Sequence, residues 1–391
     1  MNGKIVPSRI TEAREARAMS MGELADAINI TRQSVSKYER GIIKPAPEVL
    51  QAISLVLDFP FDFFYKKESL ANARSSSLFF RSNSGITKKL KTACSYQVKW
   101  VNEIREQLAE YVNFIDHEIP TIDMNFEDLS YNDIEDLALS VRKAWGMNDE
   151  PVKDLIGMLE NKGVILSQFA VNDFCKFKGV DAFSSWRNGV PYILYHSIQK
   201  SAVRTRYSIL HELGHLIMHS SVSEEDAIKK GVIDLADQQA DRFAAAFLLP
   251  ATSFPNDVHG SSLSSFETIK LKWGVSLSAI IKRCENLGIL SENQIGYLKK
   301  QMTMKKYWRS EPFDEMIEIE PPEMLKSAVT LLVDRNIISK TFFLEKAAFS
   351  AKDLVKICSL PEDYFDEYKQ RQKPFLRLVH SENICKENVG F

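Results

Sequence analysis

Residues 204–219 read RTRYSILHELGHLIMH, with His211 and His215 four apart and Glu212 beside the first histidine. On a helix, residues i and i+4 lie one turn apart on one face. The imidazoles of His211 and His215 then converge on a single zinc ion, with Glu212 placed as general base towards a water there. Three fixed letters are a weak pattern alone, so the surroundings must carry the reading.

The spacing predicts a helix over 203–219, with Val203, Tyr207, Leu210, Leu213 and Ile217 as its inward stripe. His219 continues the histidine row, but at 1.5 Å rise per residue it lies about 12 Å along the axis from His211, too far to share an ion held at roughly 2 Å. A supporting position or an ordinary exposed histidine is expected for it. The third ligand must come from another helix. Residues 235–249 qualify: Ala240, Phe243, Ala244, Phe247 and Leu248 form a core face, and Asp237 and Asp241 stand four apart on a common side. Asp237 is assigned to the metal, and Asp241 to orienting a ligand histidine through its other ring nitrogen.

Upstream, 97–115 reads as an amphipathic helix through Val98, Val101, Ile104, Leu108 and Val112, and 134–145 and 151–161 as further helices. Gly163 ends the last before an apolar strand at 164–169. Strands at 181–186 and 190–196 flank Arg187-Asn188-Gly189, a strong hairpin signal. Pro191 has no N–H to give a ladder, so its strand is expected at a sheet edge, where an extended peptide can pair and present its scissile bond. Four candidates for a donor to the developing oxyanion remain open: Tyr195, His196, Tyr207 and His259.

The amino-terminal stretch 8–58 breaks into short helices. Ser20 with Glu23 makes a capping box for 21–28, and Thr31 caps 32–40, which Gly41 stops. Val35 and Tyr38 face inward on this helix. Thr31, Arg32, Gln33, Ser36, Lys37 and Arg40 form a polar outer face suited to base edges and phosphates in a major groove. From 69 to 102 there is no acidic residue, while Arg74, Arg81, Lys88, Lys89, Lys91 and Lys99 could follow a phosphate backbone.

Residues 13–57, AREARAMSMGELADAINITRQSVSKYERGIIKPAPEVLQAISLVL, resemble the helix-turn-helix of Xre (Cro/C1-type) repressors. RTRYSILHELGHLIMH, DQQADRFAAAFLLP (237–250), WGMNDEPVKDLIGMLENKGVIL (145–166) and LKWGVSLSAIIKRCENLGIL (271–290) resemble the ImmA/IrrE family of metallopeptidases, in the arrangement where an Xre domain precedes the peptidase. Agreement covers most of 8–310. The resemblance implies two histidines and a carboxylate on zinc, with the motif glutamate as base. One departure stands out. The family usually has Glu where this chain has Asp237, a side chain shorter by one methylene.

At 391 residues the chain exceeds one core. The expected fold is multidomain and mainly α: a helix-turn-helix domain at 1–70, a basic and helical linker at 71–118, an α+β zincin-like domain with a small sheet at 119–260, and a helical carboxy-terminal region at 261–391. Within the last, 275–288 has the rhythm of a second helix-turn-helix, but Ile280 and Ile281 call for burial against the peptidase. Residues 315–391 carry helical stretches and no motif. Hydrophobic residues at 45% and charged ones at 26% exclude disordered and fibrous classes. Five scattered cysteines, Cys94, Cys175, Cys284, Cys358 and Cys385, without CxxC spacing, and no apolar run near the ~20 residues of a membrane helix, fit a reduced cytoplasmic setting away from membranes.

Two function classes suit these residues. The first is a DNA-binding regulator, expected as a homodimer on operator DNA, with a zinc endopeptidase that cleaves a repressor or partner protein, or itself. The second is an antitoxin-like DNA-binding regulator, paired with a toxin, whose zinc site is structural or inactive.

Overall fold

The computed structural model of the chain describes residues 4–67, 79–82, 87–122, 124–169, 180–196, 201–223, 225, 229–318 and 320–366. Cys175, Cys385 and Arg74 lie outside them. The described residues are mainly helical, with one small four-stranded sheet, as the composition and periodicity predict.

Five short helices begin the chain: α1 (Pro7–Ala16), α2 (Met21–Ala27), α3 (Arg32–Glu39), α4 (Pro47–Leu57) and α5 (Phe61–Tyr65). The predicted caps form. Ser20 Oγ accepts from Glu23 N at 3.1 Å while Glu23 Oε2 accepts from Ser20 N at 2.6 Å, and Thr31 Oγ1 accepts from Ser34 N at 3.1 Å. Each satisfies a helix-end amide that would otherwise lack a partner. Gly41, at φ +68°, ends the turn after α3, where an added Cβ would also meet Pro7 Cγ at 2.9 Å. Ile10, Leu24, Val35, Leu50, Ile53 and Phe63 bury together beneath these helices.

Strand β1 (Phe79–Ser82) and the long helix α6 (Lys88–Ala109) come next. The helix starts nine residues before the expected 97 because Thr87 caps it, its hydroxyl accepting from Leu90 N. Its first half is more than a basic arm. Lys99, expected on phosphates, is 8% exposed and lies 2.7 Å from Glu12 of α1, whose other oxygen accepts from Trp100 Nε1 at 2.8 Å. Lys89 pairs with Glu23 at 2.7 Å. These partners are far away in sequence, so charge alone gave no sign that the cations were spoken for.

Helices α7 (Tyr131–Ala144) and α8 (Leu155–Glu160) precede β2 (Ile165–Gln168), β3 (Val180–Arg187) and β4 (Val190–Tyr195). Asn188 at φ +51° and Gly189 at φ +75° make the two-residue turn between β3 and β4, a backbone that suits the twist of a hairpin. The strand order is β1-β3-β4-β2, which corrects the edge assignment drawn from Pro191. β4 lies inside the sheet, antiparallel to β3 and parallel to β2. Pro191 is tolerated because the β2 ladder begins only at the next residue, with Tyr192 opposite Ile165.

Helices α9 (Ala202–Met218) and α10 (Lys230–Leu248) pack on each other, with α9 lying across β3 and β4. Beyond them come α11 (Leu263–Trp273), α12 (Leu277–Asn286) and α13 (Glu292–Met304). Ile280 and Ile281 of α12 are buried, and Arg283 holds Glu135 of α7 by two hydrogen bonds of 2.6 and 2.7 Å. The second helix-turn-helix rhythm thus serves packing.

The motif-free carboxy-terminal helices α14 (Met324–Asp334), α15 (Lys340–Ala347) and α16 (Ala351–Ile357) close the structure. They cover β2 and α6 and touch the amino-terminal helices. Arg17 Nη2 lies 2.6 Å from Asp353 Oδ2, its guanidinium stacked on Phe59 at 4.5 Å. Two acids make reciprocal caps: Glu160 accepts from the amides of Glu323 and Met324, both at 2.9 Å, and Glu320 accepts from Leu155 and Ile156. One apolar core therefore runs from Ile10 and Leu57 through Val98 and Ile104 to Phe183, Leu194, Val329 and Leu354; a second lies around α9 and α10. Cys94, Cys284 and Cys358 are buried free thiols within these cores, and burial pushes the Cys358 thiol up to about 12. Among the described residues no helix is long and apolar enough to cross a membrane.

Candidate functional site

The motif lies in the middle of α9, where His211, Glu212 and His215 are at most 3% exposed. Their two Nε2 atoms approach to 3.1 Å. Asp237, on the facing side of α10, places Oδ1 3.5 Å from His215 Nε2 and 3.9 Å from His211 Nε2. Zinc bonds of about 2.0–2.1 Å in a tetrahedron put ligand atoms about 3.3 Å apart. The three side chains therefore meet the spacing that zinc needs.

Close helix packing brings the shorter aspartate within reach. Gly214 faces Ala240, and a Cβ built on Gly214 would come within 3.2 Å of the Ala240 Cα. A glycine opposite an alanine lets α9 and α10 approach, which offsets part of the methylene missing from Asp237.

Hydrogen bonds fix the histidine tautomers. Gln239 Nε2 donates to the Phe126 carbonyl at 2.7 Å, so its Oε1 must face His219 Nε2, at 2.9 Å, as an acceptor. His219 accordingly carries its proton on Nε2 and accepts at Nδ1, which makes His215 Nδ1, 3.0 Å away, the donor. The lone pair of His215 is then on Nε2. Likewise His211 Nδ1 donates to Asp241 Oδ1 at 2.9 Å, which turns its Nε2 lone pair towards the same point. Two imidazole lone pairs and a carboxylate converging within 4.8 Å is a donor set that a cation resolves. Burial holds His219 down at about 4 and His215 well below its ordinary 6.5, so both rings are neutral at pH 7, the form that ligates.

His219 is thus a buried support for His215, rather than an exposed residue. Three further members went unread in the sequence. Gln239 and Phe126 complete the His219 chain, the Phe126 ring lying edge-on to His219 at 5.3 Å. Ser184 of β3 donates to Glu212 Oε2 at 2.7 Å and so aims the carboxylate. A histidine at i+8 hinted at the first two; nothing in Phe183-Ser184-Ser185 singled out Ser184.

Of the four oxyanion-donor candidates, Tyr207 has its hydroxyl donating to the Asp241 carbonyl at 3.0 Å. It lines a cavity of about 290 Å³ with Asp181, Asp241, Ser276 and Lys282. Tyr195 is buried in the second core, His196 stacks near Phe169, and His259 lies by Asp257.

On α3, Thr31, Arg32, Gln33, Lys37 and Arg40 are exposed and Ser36 is half-buried, while Val35 is 1% exposed. The polar face predicted for this helix is open to solvent.

Two family models match the chain: the helix-turn-helix over residues 10–64 and the IrrE N-terminal-like domain over residues 175–285. The resemblance to an Xre-type domain and to the ImmA/IrrE family is borne out at these two segments. Among curated proteins, an uncharacterized HTH-type transcriptional regulator of Sinorhizobium medicae and another of Rhizobium meliloti are each 38% identical over 61 residues. That alignment takes in 16% of this chain and 44% of each relative, so the chain spans less than half of the curated relatives it matches.

Proposed function

We propose that the chain is a DNA-binding transcriptional regulator that carries a zinc-dependent endopeptidase and cleaves a protein in an extended segment. The observation that carries this reading is the convergence of His211, His215 and Asp237 beside Glu212, whose carboxylate Ser184 holds at 2.7 Å. Zinc, when bound, supplies Lewis acidity and acidifies a water. The residues of the chain do the rest. Glu212 takes the proton from the attacking water and passes it to the leaving amine, its buried carboxylate held in place by Ser184. Asp241 and His219 hold the two imidazoles in the ligating tautomer. Tyr207, one turn before His211, would serve as donor to the developing oxyanion by turning its hydroxyl proton away from the Asp241 carbonyl that now accepts it.

Arg32 and Gln33 read base edges, Thr31, Ser36, Lys37 and Arg40 hold the backbone, and a homodimer spans a two-fold operator in the cytoplasm. The substrate class is a repressor, a partner protein or the chain itself. The chain should be loaded with one equivalent of Zn²⁺ and given a pool of unstructured peptides, with products read by mass spectrometry. Cleavage that chelation removes and zinc restores is expected. A zinc-loaded chain that cuts none of the pool, even with the strand Phe79–Ser82 broken by Phe79→Pro and Phe80→Pro, contradicts the reading.

A further inference from the structure

The side of β3 away from β4 lies next to α9, the helix of the candidate metal ligands, and β1 of the same chain, the outer strand of the sheet, pairs with it. The pairing is antiparallel: Phe79 opposite Ser184, Phe80 opposite Phe183 and Arg81 opposite Ala182, with a register shift before Ser82. Ser184 is also the residue that donates to Glu212 Oε2 at 2.7 Å. Thus Phe79 is the main-chain partner of the residue that aims the candidate base, and β1 also reaches α9. Among the described strands, β4 is flanked by β3 and β2, β2 lies under α14 and α16, and β1 is the outer strand, so only β1 stands between β3 and the far side of the sheet.

A peptidase that accepts varied sequences holds its substrate by the main chain, and adding a strand to a sheet edge is the general way to do so. An extended substrate that pairs with β3 would have to lie where β1 lies. We infer that residues 79–82 are a built-in occupant of the peptide-binding edge, so that this surface takes an extended peptide antiparallel to β3 only when β1 has left. The inference rests on the peptidase reading for its functional meaning, but the surface itself does not need zinc.

The test uses full-length chain carrying Glu212→Gln, with and without Phe79→Pro/Phe80→Pro. Successive N–H groups of a strand point to opposite sides, so one of the two prolines must remove a donor from the β3 ladder. A fluorescein-labelled peptide with the sequence of residues 75–84, SSSLFFRSNS, is titrated into each. At least tenfold tighter binding to the double-proline chain is expected, with Phe80→Pro alone and Phe79→Pro alone covering the case in which the double variant misfolds. Equal affinity for variant and parent overturns the inference. The same prolines in a chain with intact Glu212 separate the two readings. Tenfold faster cleavage of an unrelated peptide supports both. Peptide capture without any cleavage supports the edge inference and removes the peptidase. Equal cleavage with equal capture removes the edge inference and leaves the peptidase.

Discussion

His215 Nδ1 lies 3.0 Å from His219 Nδ1, and this contact sets which nitrogen of His215 faces His211 and Asp237, the other two candidate metal ligands. The chain of donors runs on through Gln239 to the Phe126 carbonyl, a group that can only accept. Replacing His219 by leucine leaves His215 free to take the wrong tautomer. Supporting groups of this kind are worth about 10–100-fold in metal affinity. We expect His219→Leu and Gln239→Ala to weaken zinc binding within that range in competition with a chromophoric chelator, with helix content unchanged by circular dichroism. Unchanged affinity in both would show that the histidine chain does not position His215.

Asp353 anchors the carboxy-terminal helices to the amino-terminal module through Arg17, with side chains 0% and 7% exposed. Removing one partner leaves a buried charge unmatched, at a cost of about 3–5 kcal/mol. Asp353→Ala should therefore lower the denaturation midpoint of α1–α5 together with that of α14–α16. A variant that unfolds in two transitions, with the helix-turn-helix unaffected, would contradict the single shared core.

Glu160 gives a pH signature. Burial pushes its carboxyl from 4.5 to about 7, against the two amides of Glu323 and Met324 that favour the anion. Because the folded value is raised, its contribution to stability is complete below about 4.5 and is lost as pH rises through about 7. Unfolding free energy of the parent should fall relative to Glu160→Gln across that window, by on the order of 2 kcal/mol. Parallel stability curves for the two proteins would show that Glu160 does not titrate there.

Arg32 and Gln33 stand at the exposed start of α3, behind the Thr31 cap. Each bidentate base contact is worth about 1–3 kcal/mol of discrimination, and each phosphate contact about one unit of salt slope. Arg32→Ala with Gln33→Ala should relax specificity for the promoter of its own gene, whereas Lys37→Ala should weaken binding evenly and flatten the salt dependence. Gel-shift titrations at several salt concentrations distinguish these, and equal binding by the parent and the double variant would remove the recognition-helix assignment.

The sequence was most legible where one element carries the signal. His211 and His215 at i and i+4, Asp237 and Asp241 at the same spacing, and the caps at Ser20 and Thr31 are all local patterns. It was least legible where two distant segments meet. Lys99 read as a cation for phosphates because Glu12, its partner, lies 87 residues away. Pro191 read as an edge signal, yet a proline one residue before a ladder begins costs nothing to that ladder. Helices α14 to α16 carry no motif because their work is to cover β2 and α6, and any fitting apolar face would serve. Ser184 needed the sheet to be folded before its hydroxyl met Glu212.

The central claim is that Glu212 works as a base in a metal site rather than as a structural acid. Glu212→Gln keeps the size of the side chain and an oxygen for Ser184, while removing the proton acceptor. The decisive measurement is peptide cleavage by zinc-loaded parent and Glu212→Gln, with zinc content and operator affinity measured on the same samples. The account predicts unchanged zinc and DNA binding with cleavage reduced at least 100-fold, the lower range of a lost general base. Equal cleavage in the two proteins, or loss of zinc together with the fold, would contradict it.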